Sequence, residues 1–320
     1  MSQQTEQAKR QNMPLISVVI PVYNGEKTIA ETIESVLNQS FSNFEIVVIN
    51  DGSQDSTLDI LASIQDPRLK IFSHPNAGLS ASRNRGISQS SGEFIAFLDA
   101  DDLWTPDKLE AQLTALQENP NAAVAYSWTD FIDETSQFLK PGPHFTISGD
   151  VYAELLRGNF LANGSNPLIR RQALIKVGSF DVSFSGVADW ELYLRLATHY
   201  HFVAVPSPQI LYRLSANSMS TNLFKQEADS IQFIEQAYAQ APESLQHLKK
   251  ECFGFLYQYL IYKALEGSPG RQKGLKAAKL LWNYIKNAPS RHRLLRLKFS
   301  LLLKIMVAIL LPHRRLQLDR

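Results

Sequence analysis

A single cysteine, Cys252, in 320 residues leaves nothing for an internal disulfide framework or a cysteine metal cluster, and so thiol-poor a chain suits a reducing compartment. No secretory leader opens the sequence: residues 1–13 are polar, lack any apolar stretch and read as a loose tail, so the expected location is cytoplasmic. Apolar runs of the roughly 18–20 residues needed to cross a bilayer are lacking too. The longest candidate, Phe299 to Leu311, counts thirteen positions and is interrupted by Lys304. Acidic residues almost vanish after Arg271, where thirteen Lys or Arg stand against Asp319 alone, a net +12; with +1 over the whole chain, residues 1–270 carry −11. A basic tail on an acidic body points to an anionic surface as partner.

What is present alternates. Ile16 to Val22 is an apolar, β-branched run closed by Asn24-Gly25, which reads as a buried strand and a turn. Thr28 to Leu37 sets Ile29, Ile33, Val36 and Leu37 at helical spacing, and Phe44 to Ile49 is a second strand. A helix over Ser56 to Ile64, a short strand over Leu69 to Phe72, a helix over Leu79 to Ser90 and a fourth strand over Phe94 to Leu98 follow. Thr105-Pro106 opens another helix with a capping hydroxyl and a first-turn proline, ahead of a fifth strand over Ala122 to Trp128. Gln137 to Ser185 is irregular; a helix over Trp190 to Thr198 and a strand over Gln209 to Leu211 close this half. Beyond Thr221 the pattern is helical, broken at Gly267-Ser268-Pro269-Gly270.

Strands alternating with helices imply an α/β fold with a mostly parallel sheet covered on both faces, in which ligands bind beyond the carboxyl ends of the strands. Three such ends carry polar clusters: Tyr23-Asn24, Asn50-Asp51-Gly52-Ser53 and Asp99-Ala100-Asp101-Asp102. Carboxylates as close as Asp99, Asp101 and Asp102 repel one another unless a cation compensates, and hard oxygen ligands favour Mg²⁺ or Mn²⁺ bridged to substrate phosphates. On the residues alone, a solvated acidic turn capping the next helix is equally open.

Pro21-Val22-Tyr23-Asn24, Asn50-Asp51-Gly52-Ser53, Asn76 to Gly86 (NAGLSASRNRG) and Phe97-Leu98-Asp99-Ala100-Asp101-Asp102 occur in that order. This series resembles the family 2 glycosyltransferases over roughly Ile16 to Ser220. The resemblance implies a GT-A nucleotide-diphospho-sugar transferase fold over residues 14–221, with 14–128 as the nucleotide-binding half and 129–221 as the acceptor-binding half. The tail 1–13 precedes it, and a helical extension, 222–320, with a basic amphipathic end follows. It implies inverting transfer of a sugar from a nucleotide-diphosphate donor, expected to be a uridine diphosphate sugar, to an acceptor hydroxyl in cell-surface polysaccharide or glycolipid synthesis.

Residue by residue, the resemblance puts Pro21, Tyr23 and Asn24 against the base and ribose, Asp51 on the base, Asp99 near the ribose and Asp101 on the metal. Arg83 would reach the nucleotide or diphosphate, or else support the acidic loop through an ion pair. Arg213, after the strand at Gln209 to Leu211, would neutralise phosphate charge or lie at the surface. Inversion needs a base for the acceptor proton. Gly186 to Leu196 (GVADWELYLRL) resembles the family's Glu-Asp motif and nominates Asp189, with Glu191 in reserve; Ala188 stands where the family has the glutamate. Trp190 could line the acceptor site, and His199 and His201 are further possible metal or phosphate contacts. The Gln-x-x-Arg-Trp element of processive synthases is not apparent.

Two other classes weigh against this reading. A sugar-phosphate nucleotidyltransferase would carry a Gly-rich phosphate loop after the first strand, where this chain has Pro21-Val22-Tyr23-Asn24-Gly25. A degenerate nucleotide-sugar-binding scaffold would have lost Asp101 or Asp189, and both are intact. Arg291 to Leu311, basic first and apolar later, suits a helix lying in the interface of an anionic membrane, which would bring the enzyme to a glycan or lipid-linked acceptor. Packing of that helix on protein is the alternative. Nucleic acid is not expected, because the tail does not interleave its bases with aromatics.

Overall fold

The structure is a computed structural model that describes residues 13–215, 223–265, 270–287 and 293–310. The chain divides into two compact units, Met1–Leu155 with Asn159–Ala216, and Leu156–Gly158 with Asn217–Arg320. The tail 1–12, the expected boundary at 221, the break at 268 and the basic residues at 313–315 lie outside the described residues.

The first unit is built on β1 (Ile16–Val22), α1 (Ile29–Leu37), β2 (Phe44–Asn50), α2 (Thr57–Ser63), β3 (Leu69–Ser73), α3 (Leu79–Gln89) and β4 (Phe94–Phe97). It continues with β5 (Leu103–Trp104), α4 (Lys108–Glu118), β6 (Ala122–Ile132), β7 (Phe138–Pro141), α5 (Tyr152–Arg157), β8 (Leu168–Arg170), α6 (Arg171–Val177), α7 (Ala188–Ala197) and β9 (His201–Arg213). Among the described residues the strands form one nine-stranded sheet in the order β3-β2-β1-β4-β8-β6-β9-β5, with β7 paired to β6. β1, β2, β3, β4, β6 and β9 share one direction, and only β5, β7 and β8 run against it, so the sheet is mostly parallel as expected.

Both faces of the parallel half are covered, which is why β1 and β2 are buried at every position. On one face Val18, Ile20, Ile46, Val48 and Ala96 pack against Ile29, Ile33 and Val36 of α1, Leu61 of α2 and Leu109 and Leu113 of α4. On the other, α3 lies so close that a Cβ on Gly86 would sit 2.2 Å from Val19 Cγ1. Each fully buried Val or Ile contributes about 1.5–3 kcal/mol relative to exposure.

β9 is far longer than the expected Gln209 to Leu211. It pairs with β6 throughout, and the register jumps from Ser127↔Val205 to Trp128↔Pro208, so Pro206 and Ser207 are accommodated in a bulge. Two prolines in an apolar run disguise the strand, because proline ordinarily marks an edge or an end. The helix expected at Thr105-Pro106 begins only at Lys108, since Leu103 and Trp104 are drawn into pairing with β9.

The second unit is helical: α8 (Leu223–Gln240), a 3-10 turn at Glu243–Leu248, α9 (Lys249–Ala264), α10 (Arg271–Asn287) and α11 (Arg293–Leu310). Cys252 is buried in α9, where burial pushes its thiol up to about 12, consistent with a packing role. No helix among the described residues is long and apolar enough to cross a membrane.

Candidate active site

The order β2-β1-β4 sets the three polar clusters side by side at the carboxyl ends of adjacent strands. The first two are stitched together. The Asn24 backbone N–H donates to Ser53 Oγ (2.9 Å), Asn24 Oδ1 accepts from the Gln54 N–H (2.8 Å), and the Gly25 N–H donates to Thr57 Oγ1 (2.8 Å). Asn24 takes the left-handed conformation (φ 51°) that asparagine tolerates better than most residues, and Tyr23 beside it is 51% exposed.

Pro21 is not in this loop. It is buried inside β1, paired with Ile49, and its place there follows from the ladder. Val22 O accepts from the Asp51 N–H on the β2 side while Val19 O accepts from the Leu98 N–H on the β4 side. Odd residues of β1 therefore face β4, which ends at Phe97, so the donor that Pro21 lacks has no strand to serve.

Asp51 is buried, and its carboxylate organises the third motif: Oδ1 accepts from the Ala77 N–H (2.9 Å) and Arg85 (3.1 Å), Oδ2 from the Gly78 N–H (2.8 Å). Gly78, at φ +89°, makes the turn into α3 that aims both amides. Along α3, Ser80, Arg83 and Asn84 share a face at i, i+3 and i+4. Ser80 Oγ donates to Phe184 O (3.0 Å), Arg83 Nη2 to Asp99 Oδ1 (2.6 Å), and Asn84 exchanges two bonds with the Phe180 backbone (2.8 and 2.9 Å). The third motif thus fastens the acidic loop and the 180–184 loop to one helix.

Of the two roles open for Arg83, the structure shows the ion pair. The residue is 2% exposed, its guanidinium lies over the Phe180 ring, and Gly164 is so close that a Cβ there would sit 2.2 Å from Nη2. Asp102 also acquires a role. It is fully buried, with Oδ2 accepting from Ser165 Oγ (2.6 Å) and Oδ1 from the Arg213 N–H (3.0 Å). Burial and the neighbouring carboxylates push its pKa well above the usual range, and Asp101 is pushed up to about 6 for the same two reasons.

Arg213 departs from the expected phosphate contact. It is 3% exposed, and its Nε donates to Asp101 O (2.7 Å), Nη1 to Asp133 O (3.1 Å) and Ser136 Oγ (2.9 Å), and Nη2 to Glu31 Oε2 (2.8 Å). With all three nitrogens engaged by protein acceptors, the guanidinium braces the acidic loop from behind.

Asp189 is the second residue of α7, because the helix starts at Ala188, two residues before the expected Trp190, with Val187 at its cap position. Its Oδ2 accepts from Asn159 Nδ2 (3.0 Å). Burial raises its pKa, and the opposing pull of Arg83 and of the Trp190 N–H does not cancel the rise. Glu191, the reserve candidate, is paired with Arg195 (2.7 Å), and Trp190 is a core residue whose indole donates to Leu155 O (2.7 Å). His201 pairs with Ala122 at the opposite end of the sheet, and His199 lies against Tyr200, so neither joins the site.

The carboxylates present suit a hard divalent cation. Asp101 carries a desolvated carboxylate beside Asp99, an arrangement a cation would relieve, whereas both oxygens of Asp102 are engaged. No cluster of three or more metal-ligating side chains is assembled among the described residues.

A family model described as glycosyltransferase-like family 2 matches residues 17–264. The chain belongs to that family. Among relatives, it is 33% identical over 66% of its length to 82% of the UDP-Glc:alpha-D-GlcNAc-diphosphoundecaprenol beta-1,3-glucosyltransferase WfgD of Escherichia coli. It is 41% identical over 44% of its length to an uncharacterized glycosyltransferase of Rickettsia bellii, of which it spans only 21%. Among solved structures, S. aureus TarS 1–349 in complex with UDP superposes with TM-score 0.61 at 19% identity, covering 92% of this chain and 88% of TarS. The Pyrobaculum calidifontis mannosyltransferase PcManGT, in complex with GDP-Man and Mn²⁺, superposes with TM-score 0.59 at 18% identity, covering 93% and 87%. Both likenesses establish the GT-A fold of this family 2 member.

Sequence reasoning missed the segment Asn163-Gly164-Ser165-Asn166, which lies beneath the acidic loop. Ser165 Oγ accepts from the Asp99 N–H (3.0 Å) while donating to Asp102, and Trp104 Nε1 donates to Ser165 O (2.9 Å). Ala162, held at φ 73°, precedes it. Four small polar residues in a row read as an ordinary loop, and only the burial of Asn163, Ser165 and Asn166 distinguishes them.

Proposed function

We propose that this family 2 member transfers a sugar, with inversion, from a uridine diphosphate sugar to a hydroxyl of a lipid-linked glycan acceptor, in cell-surface polysaccharide or glycolipid synthesis at the cytoplasmic face of a membrane. The observation that carries the reading is the linkage of two carboxylate centres through one buried arginine: Arg83 is bonded to Asp99 at 2.6 Å and lies within the electrostatic field of Asp189. One centre serves the donor and the other the acceptor. UDP bound by TarS, GDP-Man and Mn²⁺ bound by PcManGT, and the diphosphoundecaprenol acceptor in the name of WfgD supply the chemistry of the proposal.

Tyr23, which is exposed, receives the base and ribose together with Asn24 and Asp51, and Asp99 faces the ribose. Asp101, with Asp99 beside it, would hold Mg²⁺ or Mn²⁺. When bound, that ion stabilises negative charge on the leaving diphosphate. Asp189, oriented by Asn159 and set in the first turn of α7, takes the proton from the attacking hydroxyl. Burial raises its pKa, which makes it a stronger base than a solvated aspartate, while the Arg83 charge opposes that rise and favours the ionised form.

Asp189→Asn should lower kcat for transfer by at least a thousandfold while uridine diphosphate binding with Mn²⁺, measured by calorimetry, stays within about threefold. Transfer at wild-type rate would remove the base assignment. Asp101→Asn should abolish the Mn²⁺ dependence of that binding, and a variant that keeps it would remove the metal assignment.

A further inference from the structure

The helical second unit ends in a helix that is apolar on opposite sides. At about 100° per residue, Leu301, Ile305 and Ala308 of α11 fall within about 60° of one another, and all three are buried. The opposite arc holds Leu302, Leu303, Met306, Val307 and Leu310, exposed by 42% to 72%. The inner face is firmly seated: a Cβ on Gly274 of α10 would come within 2.5 Å of Ile309 Cγ1 and 3.1 Å of the Ile309 backbone nitrogen. α10 itself exposes Trp282 and Ile285 beside Lys286, whose ammonium lies 5.3 Å from the Trp282 ring centre. An apolar helix face of this breadth is normally covered by protein or lipid.

We propose that the outer face of α11, backed by α10, docks in the interface of an anionic bilayer, lying along one leaflet without crossing it. Charge selects this occupant. The segment from Arg271 carries +12, with Arg291, Arg293, Arg296 and Lys298 about the start of the helix and Arg314 and Arg315 beyond its end. Two copies packed face to face would bring two such segments together, whereas acidic headgroups neutralise them. The length fits as well, since no described helix can span the hydrocarbon core, while a helix in the interface needs only an apolar face and cationic flanks. The inference deepens the reading of a membrane-borne acceptor and is independent of the roles given to Asp101 and Asp189.

The test is flotation of the full chain with vesicles of phosphatidylglycerol and phosphatidylethanolamine, against vesicles of phosphatidylcholine alone. The wild type should float with the first and not the second. L303E/M306E, altered at two exposed positions, should lose at least tenfold in vesicle affinity while keeping its helical circular dichroism and its hydrolysis of uridine diphosphate sugar. Amide exchange over residues 293–310 should slow when the wild type meets the anionic vesicles. Equal flotation of variant and wild type, absence of exchange protection, or a concentration-dependent dimer that L303E/M306E dissociates would each overturn the proposal. Flotation by a protein that transfers no sugar would leave docking standing and remove the acceptor reading.

Discussion

Arg213→Met separates the two roles that an arginine near a diphosphate can play. The substitution keeps most of the apolar stem and removes donors that reach Asp101 O, Asp133 O, Ser136 Oγ and Glu31. Glu31 is 44% exposed, so its ion pair is screened and counts for at most about 1 kcal/mol. The two carbonyls and the hydroxyl lose charged donors at a site where Arg213 is 3% exposed, and each such bond contributes about 1 kcal/mol or more. The sum is about 3–4 kcal/mol, or on the order of 10 °C in Tm for a domain of this size, at 2–4 °C per kcal/mol. Differential scanning calorimetry without ligand measures it. Because the loop bearing Asp101 loses its brace, kcat should fall as well. An unchanged Tm combined with a raised KM for the donor would refute the bracing role and return Arg213 to the phosphate.

Three other outcomes are expected. Glu45 is held down to about 2 from 4.5 by Lys70, Ser17 and Ser91 against the cost of burial, a stabilisation of about 3 kcal/mol before allowing for the exposure of Lys70. It is present above the ordinary carboxylate pKa and lost as pH falls toward 2, so the Tm gap between wild type and Glu45→Gln should close between pH 5 and 2; a constant gap contradicts the argument. Burial raises the pKa of Asp189, and the base role proposed for it needs the ionised form, so kcat at saturating donor and Mn²⁺ should decline as pH falls, through a midpoint above 3.8, and a midpoint below that value would argue for a different base. Gly164→Ala would push its Cβ into Arg83 and should cost about 1–3 kcal/mol together with most of the activity, so a variant as stable and active as wild type would show that the packing around Arg83 is not required.

The strands and helices of the parallel half were legible because burial on both faces leaves a strong signal: β1, β2 and β4 are mostly apolar, broken only by Ser17, Glu45 and the terminal Asn50, and α1 repeats its apolar residues every three or four positions. The four motifs were legible for a related reason, since each lies within a few residues of a strand end and carries its chemistry in local order. Pairings made at long range were not. β9 hid behind Pro206 and Pro208, the two-residue β5 is a strand only because β9 lies beside it, and Asn163 to Asn166 look like any polar loop until they are buried.

The sequence by itself determined the family 2 motifs that carry Asp51, Asp99, Asp101 and Asp189, and with them the fold, because residue type and local spacing are properties of the chain. Tertiary structure decided what each charge faces. Arg83 and Arg213 read alike as cations near phosphate, yet one is bonded to Asp99 and the other to the backbone behind Asp101, and Asp102 sits beside Asp101 in sequence but points into the core. Whether a charged group meets ligand or protein depends on burial and on partners as many as 182 residues away, as between Arg213 and Glu31, and no local pattern encodes that.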